Sequence, residues 1–262
     1  MKSDPELFAG SRRVRGVCVL SGSTRLAEMA ARIGFDTVWI EMEHGPAGFD
    51  QVESLCMAVE AGGAVPTVRI SDNQRHHMLR ALEAGAIIVV VPMINTAEQA
   101  SDIVRHGKYP PIGSRGFNTR SRGVRYGLAG PGEPSFKAAN ARTHLFAQIE
   151  SVEAVKNLEA ICAVKGLSGI FIGPGDLSIS MGCPGQLTNP NLIETISTCI
   201  RTARSRGLHA GILAVPSPLL DAAIAAGADL VFCGGDFTEL AIAWPKLLES
   251  VSEKVPEVGP GA

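Results

Sequence analysis

The sequence predicts a single (β/α)8 TIM barrel, and three observations carry that reading. Short runs rich in Val and Ile recur along the chain and barely alternate, as strands buried on both faces do. A glycine introduces six of them, in "IGFDTVWIEM", "AGGAVPTVRI", "AGAIIVVVPM", "KGLSGIFIGP", "RGLHAGILAV" and "AGADLVFCGG". Helical patterns such as "LAEMAARIG" and "DAAIAAG" run into these glycines, and a glycine there supplies the left-handed residue that ends a helix. With "VRGVCVL" (14–20) and "HLFAQIE" (144–150) the runs make eight strands alternating with helices, the pattern of a closed parallel barrel. A doubly wound open sheet shares that alternation, but no GxGxxG follows an early strand, which weakens a dinucleotide-binding reading.

The length of 262 residues suits one such domain over 1–262, with about 1–13 and about 253–262 peripheral to it. Hydrophobic residues make up 45% and charged ones 19%, so a substantial core is expected and disorder is not. A net charge of −2 gives no broad footprint for nucleic acid. The longest apolar runs, such as "AIIVVVPMI" (86–94), fall short of the ~20 residues a membrane span needs. The opening "MKSDPELFAGSRRVRG" lacks the apolar stretch of a secretory signal. The six cysteines form no CxxC pair and read as buried thiols of a cytoplasmic protein, Cys183 in its Gly/Pro-rich loop being the exposed exception.

Barrel enzymes place their chemistry at the carboxyl ends of the strands. There the sequence puts Glu41-Met42-Glu43-His44 after strand 2, Arg69 after strand 3, Gln148 and Glu150 after strand 5, and Gly173-Pro174-Gly175-Asp176 after strand 6. Strand 8 ends in Gly234-Gly235-Asp236. Taken alone, a polar residue at a strand end reads as a turn or cap, Asp176 before "LSISM" as an N-cap, and Arg69 as the partner of a neighbouring carboxylate. Together they place a base, a cation and carboxylates around one mouth. Glu150 and Asp176 suit a hard divalent cation that completes its shell with water and substrate oxygens. His and Cys at zinc spacing are absent. Of the other histidines, His76 and His77 sit in a helix, His106 near a helix end, and His144 and His209 at strand starts. All five read as packing or surface residues. No lysine ends a strand, which disfavours a Schiff base and favours metal-assisted carbonyl chemistry. The segment "KYPPIGSRGFNTRSRGVRYGLAGPGEP" (108–134) is expected to follow strand 4 onto the active face. Its Arg115, Arg120, Arg122 and Arg125 read first as part of a solvated or subunit-contacting loop, the functional alternative being that one or more of their guanidinium groups receive the carboxylate of an acidic aldehyde.

These stretches resemble the HpcH/HpaI aldolase family, the class II, metal-dependent pyruvate aldolases. "FDTVWIEMEHGP", "VRI", "LEAGAIIVVVPMINTAEQA", "YPPIGSRG", "QIES" and "GIFIGPGDLSISMG" carry the resemblance, which spans about residues 16–245. It implies aldol cleavage and condensation of 4-hydroxy-2-oxo acids, such as 4-hydroxy-2-oxoheptanedioate or 2-keto-3-deoxy-sugar acids, to pyruvate and an aldehyde through a metal-stabilised enolate. By position His44 is then the base, working through water, Arg69 the stabiliser of the enolate oxygen, and Glu83 the acid that raises the basicity of the histidine. Glu150 and Asp176 hold the metal, Mg²⁺ or Mn²⁺ with Co²⁺ as a further candidate. Gln148, Gly175 and Asp176 contact substrate. Glu41 and Glu83 stand where many members have Asp, and Met42 where glycine is frequent. The resemblance also implies a homohexamer with an exchanged C-terminal helix, while the charge balance and the short apolar runs point to no nucleic-acid or membrane partner. The alternatives are an oxaloacetate decarboxylase, a CoA-thioester lyase of a related barrel, and a non-catalytic barrel that binds dicarboxylate and metal.

Overall fold

The computed structural model describes residues 7–8, 10, 12–128, 133–252 and 254–255. The expectations for the two chain ends fall mostly on residues outside that set. Eight parallel strands close into a barrel in sequential order. They are β1 (Val14–Val19), β2 (Thr37–Glu41), β3 (Val65–Arg69), β4 (Ile88–Val91), β5 (His144–Ile149), β6 (Gly169–Ile172), β7 (His209–Leu213) and β8 (Leu230–Gly235). The helices between them are α1 (Thr24–Ile33), α2 (Phe49–Ala61), α3 (Arg75–Ala84), α4 (Ala97–Gly107), α5 (Glu133–Arg142), α6 (Val152–Lys156), α7 (Leu158–Cys162), α8 (Pro174–Ser180), α9 (Pro190–Ser205), α10 (Pro218–Ala226) and α11 (Asp236–Ser252).

Side chains alternate across a strand, and that period stacks the barrel interior in layers. Val14, Val65, Ile88 and Leu230 form a lower layer, with Trp39, Phe146, Phe171 and Phe232 above it. The aromatics fit because glycines face them. A Cβ on Gly16, Gly169 or Gly211 would stand 2.3, 2.5 or 2.4 Å from the ring of Phe232, Phe146 or Phe171. One step further up each strand, the same inward period delivers Cys18, Glu41, Arg69 and Gln148 to the mouth. The outward residues pack against the helices in a larger apolar shell that includes Ile40, Leu55, Val89, Ile103, Ile170 and Ile200.

Helix boundaries follow local chemistry. Ser23, Ser151 and Ser217 accept the amide bonds that start α1, α6 and α10, and Thr96 with Gln99 forms a capping box on α4. Gly34 and Gly85 end α1 and α3 at positive φ. Below the barrel, Phe8 stacks on His209 at 4.0 Å and meets His144 edge-on at 4.9 Å. All six cysteines are free. Cys183 is buried and Cys233 only partly so, which reverses the expected exception: the turn after α8 folds Cys183 inward, its amide bound to the Ser178 carbonyl.

The Arg-rich segment lies elsewhere than expected. It follows α4 rather than β4, so it begins at the amino-terminal face of the barrel and runs along the outer groove of α2 and α3. A 3-10 turn at Arg122–Gly127 brings Arg122 to Glu60 at the end of α2, where Arg142 joins at 3.3 Å. Arg115 is buried, its guanidinium 4.7 Å over the ring of Tyr109.

Candidate active site

The carboxyl ends of the strands surround a cavity of about 360 Å³, lined in part by His44, Arg69, Gln148, Gly175 and Asp176. Glu41 and Arg69 are Cα partners in the β2–β3 register, so the inward period places both at the same height. Their side chains lock. Glu41 Oε2 accepts Arg69 Nε at 2.8 Å and lies 2.7 Å from NH2. Oε1 accepts the backbone amides of Glu43 at 2.6 Å and His44 at 3.1 Å. The carboxylate thereby folds the loop after β2 over itself and sets where His44 emerges. Burial pushes the Glu41 carboxyl up, but Arg69 and these hydrogen bonds outweigh it and hold it below its ordinary range.

Glu43, two residues on, has the opposite balance. Burial raises its carboxyl, Arg69 and His44 oppose this, and Glu150 and Glu41 add to the rise, leaving it above its ordinary range. Its Oε2 lies 3.0 Å from Arg69 NH1. That oxygen makes no hydrogen bond, so the contact is an ion pair off the N–H direction. It also stands 3.7 Å from His44 Nε2, whose side chain is 65% exposed. The imidazole therefore faces solvent at the rim.

Glu150 follows β5, and Asp176 lies in α8 beyond β6. Glu150 is buried. Its Oε1 accepts the Met93 amide at 2.7 Å and its Oε2 the Gln148 side-chain amide. Met93 adopts φ 55, a left-handed strain of the kind that gathers at functional sites. Gly173 makes room for the acid, since a Cβ there would stand 2.6 Å from Glu150 Oε2. Asp176 sits exposed in the first turn of α8. Gln148 Oε1 is buried without a hydrogen-bond partner. Among the described residues no group of three or more His, Cys, Asp or Glu is placed to hold a metal. Two carboxylates beside an orphaned amide oxygen instead fit an octahedral cation that keeps water and substrate oxygens.

The structure thus brings His44, Arg69, Gln148, Gly175 and Asp176 around one cavity, with Glu150 bonded to Gln148 of its lining. Glu83 is placed apart, lining a second cavity of about 300 Å³ with Arg80, Arg120 and Arg122. Asp236 closes the top of the barrel, accepting the Leu20 and Ser21 amides at 2.9 and 3.0 Å. Glu43 lay in plain view in the sequence beside His44, but its place between Arg69 and Glu150 did not. The Met93 amide carries no sequence signal.

The profile of the HpcH/HpaI aldolase/citrate lyase family matches residues 15–243. A 2-keto-3-deoxy-L-rhamnonate aldolase of Klebsiella pneumoniae subsp. pneumoniae is 37% identical over 231 residues, 88% of this chain and 85% of the relative. The crystal structure of an HpcH/HpaI aldolase from Desulfitobacterium hafniense DCB-2 has a TM-score of 0.87 at 26% identity and covers 100% of both chains. A family protein from Burkholderia cenocepacia J2315 has a TM-score of 0.86 at 29% identity, covering 95% of this chain and 98% of the other. Matched along almost its whole barrel in sequence and in shape, this chain belongs to the HpcH/HpaI aldolase/citrate lyase family.

Proposed function

We propose that this chain, a class II aldolase, splits 4-hydroxy-2-oxo acids of the 2-keto-3-deoxy-sugar-acid type into pyruvate and an aldehyde, and joins them in reverse. The observation that carries the reading is the locked Glu41–Arg69 pair, facing Gln148 and Asp176 across a cavity with His44 at its rim. A divalent cation, Mg²⁺ or Mn²⁺, when bound by Glu150 and Asp176 supplies Lewis-acid stabilisation of charge on the keto oxygen.

The chain's own residues do the rest. Arg69 turns the N–H groups not engaged by Glu41 towards the cavity, where they stabilise the oxygen that gains negative charge. Gln148 orients the 2-oxo acid, and the Gly175 backbone lies against its pyruvate part. His44 takes the proton of the C4 hydroxyl through water. As the C3–C4 bond breaks, its electron pair becomes the C2–C3 double bond of the pyruvate enolate, and the aldehyde departs. A proton returned to C3 yields pyruvate.

The test is pyruvate release from 2-keto-3-deoxy-L-rhamnonate and shorter 4-hydroxy-2-oxo acids with Mg²⁺ or Mn²⁺, beside oxaloacetate and CoA-thioester controls. The expected result is metal-dependent release that chelation and the double variant Glu150→Gln/Asp176→Asn abolish. Full activity after exhaustive chelation contradicts the reading.

We also infer a cytoplasmic hexamer. The free cysteines suit a reducing compartment, and no helix among the described residues is long and apolar enough to cross a membrane. The helix α11 exposes Phe237, Trp244, Leu247 and Leu248, an apolar surface that a second copy would cover. Light scattering should give a mass near six chains, falling in Leu247→Glu/Leu248→Glu. A monomeric wild type rules this assembly out.

A further inference from the structure

Beneath Arg69 lies a residue that the mechanism above does not use. Trp39 is 2% exposed, held between Phe171 at 4.9 Å and Phe232 at 5.0 Å in the aromatic layer of the barrel. That packing fixes the indole in one orientation. Its Nε1–H donates to Glu41 Oε2 at 2.9 Å, the same oxygen that accepts Arg69 Nε. The Arg69 guanidinium carbon also stands 5.4 Å from the centre of the ring, within reach of a cation–π contact. Indole supplies both a broad apolar face for the cation and an edge N–H for the carboxylate.

From this we propose that Trp39 is a positioning residue, which holds the Glu41–Arg69 pair at one height and angle so that the guanidinium meets the developing enolate oxygen. The inference rests on the aldolase reading. An arginine has many rotamers, and Glu41 lies on the neighbouring strand without an aromatic clamp of its own. The rigid core under the barrel mouth is what removes that freedom, and Trp39 is the link between core and cation. Phenylalanine at this position would keep the packing and the π face but lose the N–H. Glu41 Oε2 would then be held by Arg69 alone, and the pair would gain freedom to rock.

The test is a double-mutant cycle of wild type, Trp39→Phe, Arg69→Lys and the double variant, assayed for pyruvate release with Mg²⁺, with thermal unfolding of each. Trp39→Phe should lower kcat roughly 10-fold with little change in KM, because the misplaced interaction belongs to the transition state. The double variant should be no slower than Arg69→Lys, the coupling expected of groups that act as a unit. A merely structural tryptophan would give additive losses that follow the fall in Tm. Additive losses, or a Trp39→Phe enzyme as fast as wild type, overturn the proposal.

A second measurement needs no Trp39 substitution. The chain has two tryptophans, so Trp244→Phe on α11 leaves Trp39 as the sole reporter. Pyruvate added with Mg²⁺ should change its emission saturably, and Arg69→Lys should remove that response. An emission that ignores pyruvate overturns the link between Trp39 and the bound 2-oxo acid. If wild type releases no pyruvate from any 4-hydroxy-2-oxo acid, the aldolase reading itself falls. Failure of the cycle in an active wild type touches Trp39 alone.

Discussion

Glu41 and Glu43 are two residues apart and carry the same side chain, yet their surroundings push them in opposite directions. Glu41 receives donors from Arg69, Trp39 and two amides and remains an anion below the usual carboxylate range. Its contribution to stability is complete above that range and is lost as the pH falls through its lowered pKa. Glu43, raised, holds a proton more readily beside the exposed His44. The imidazole pairs with Glu43, not with Glu150 or Asp176, so its removal should spare those two carboxylates. His44→Ala is expected to lower kcat by roughly 10²–10⁴-fold, the usual worth of general acid–base catalysis, while Mn²⁺ affinity measured by titration calorimetry stays within a few-fold of wild type. A collapse of Mn²⁺ binding would make His44 a ligand instead of a base.

At the scale of elements, the metal site proposed at Glu150 and Asp176 depends on how closely β5 and β6 approach at their ends. Gly173 permits that approach, for a methyl there would press on Glu150 Oε2 at 2.6 Å. Gly173→Ala should therefore weaken Mn²⁺ binding at least 10-fold without unfolding the barrel, because Glu150 must turn away while its strand stays paired. Unchanged Mn²⁺ affinity in this variant would remove Gly173 and the β6 end from the description of the metal site. The Arg-rich segment shows the limit of arguing from the chain without its path. Its length and composition suited an active loop, but a residue count cannot tell a βα loop from an αβ loop when a helix of eleven residues, α4, intervenes. Burial of Arg115 over Tyr109 and the pairing of Arg122 with Glu60 make parts of it packing elements of the outer shell.

For the molecule as a whole, the two ends of the barrel have different electrostatics. The mouth gathers carboxylates and Arg69. The floor holds His144, which burial, then Lys108 and His209, push down to about 4 from an ordinary 6.5. A histidine lowered in this way favours folding fully above pH 6.5 and progressively less as the pH falls towards 4, since the unfolded chain takes up the proton first. The loss is on the order of 3 kcal/mol. Urea unfolding at pH 7 and pH 4 should show wild type losing more stability across that interval than His144→Gln does. Equal losses in the two proteins would mean that the floor histidine is protonated in the fold at no cost.

By itself the sequence determined the barrel, because eight Val/Ile-rich runs, six of them led by glycine, have few ways to bury both faces, and the strands lie where those runs stand. It also determined that acids, His44 and Arg69 gather at one mouth, since residues at strand ends share a face whatever their distance along the chain. Tertiary structure alone decided which of them touch. The β2–β3 register pairs Glu41 with Arg69, and the aromatic layer puts an indole N–H under that pair. A strained Met93 turns its amide onto Glu150, while α3 carries Glu83 to a different cavity. These are distances between residues remote in sequence, set by how strands stagger and helices pack, and local propensity holds no record of them.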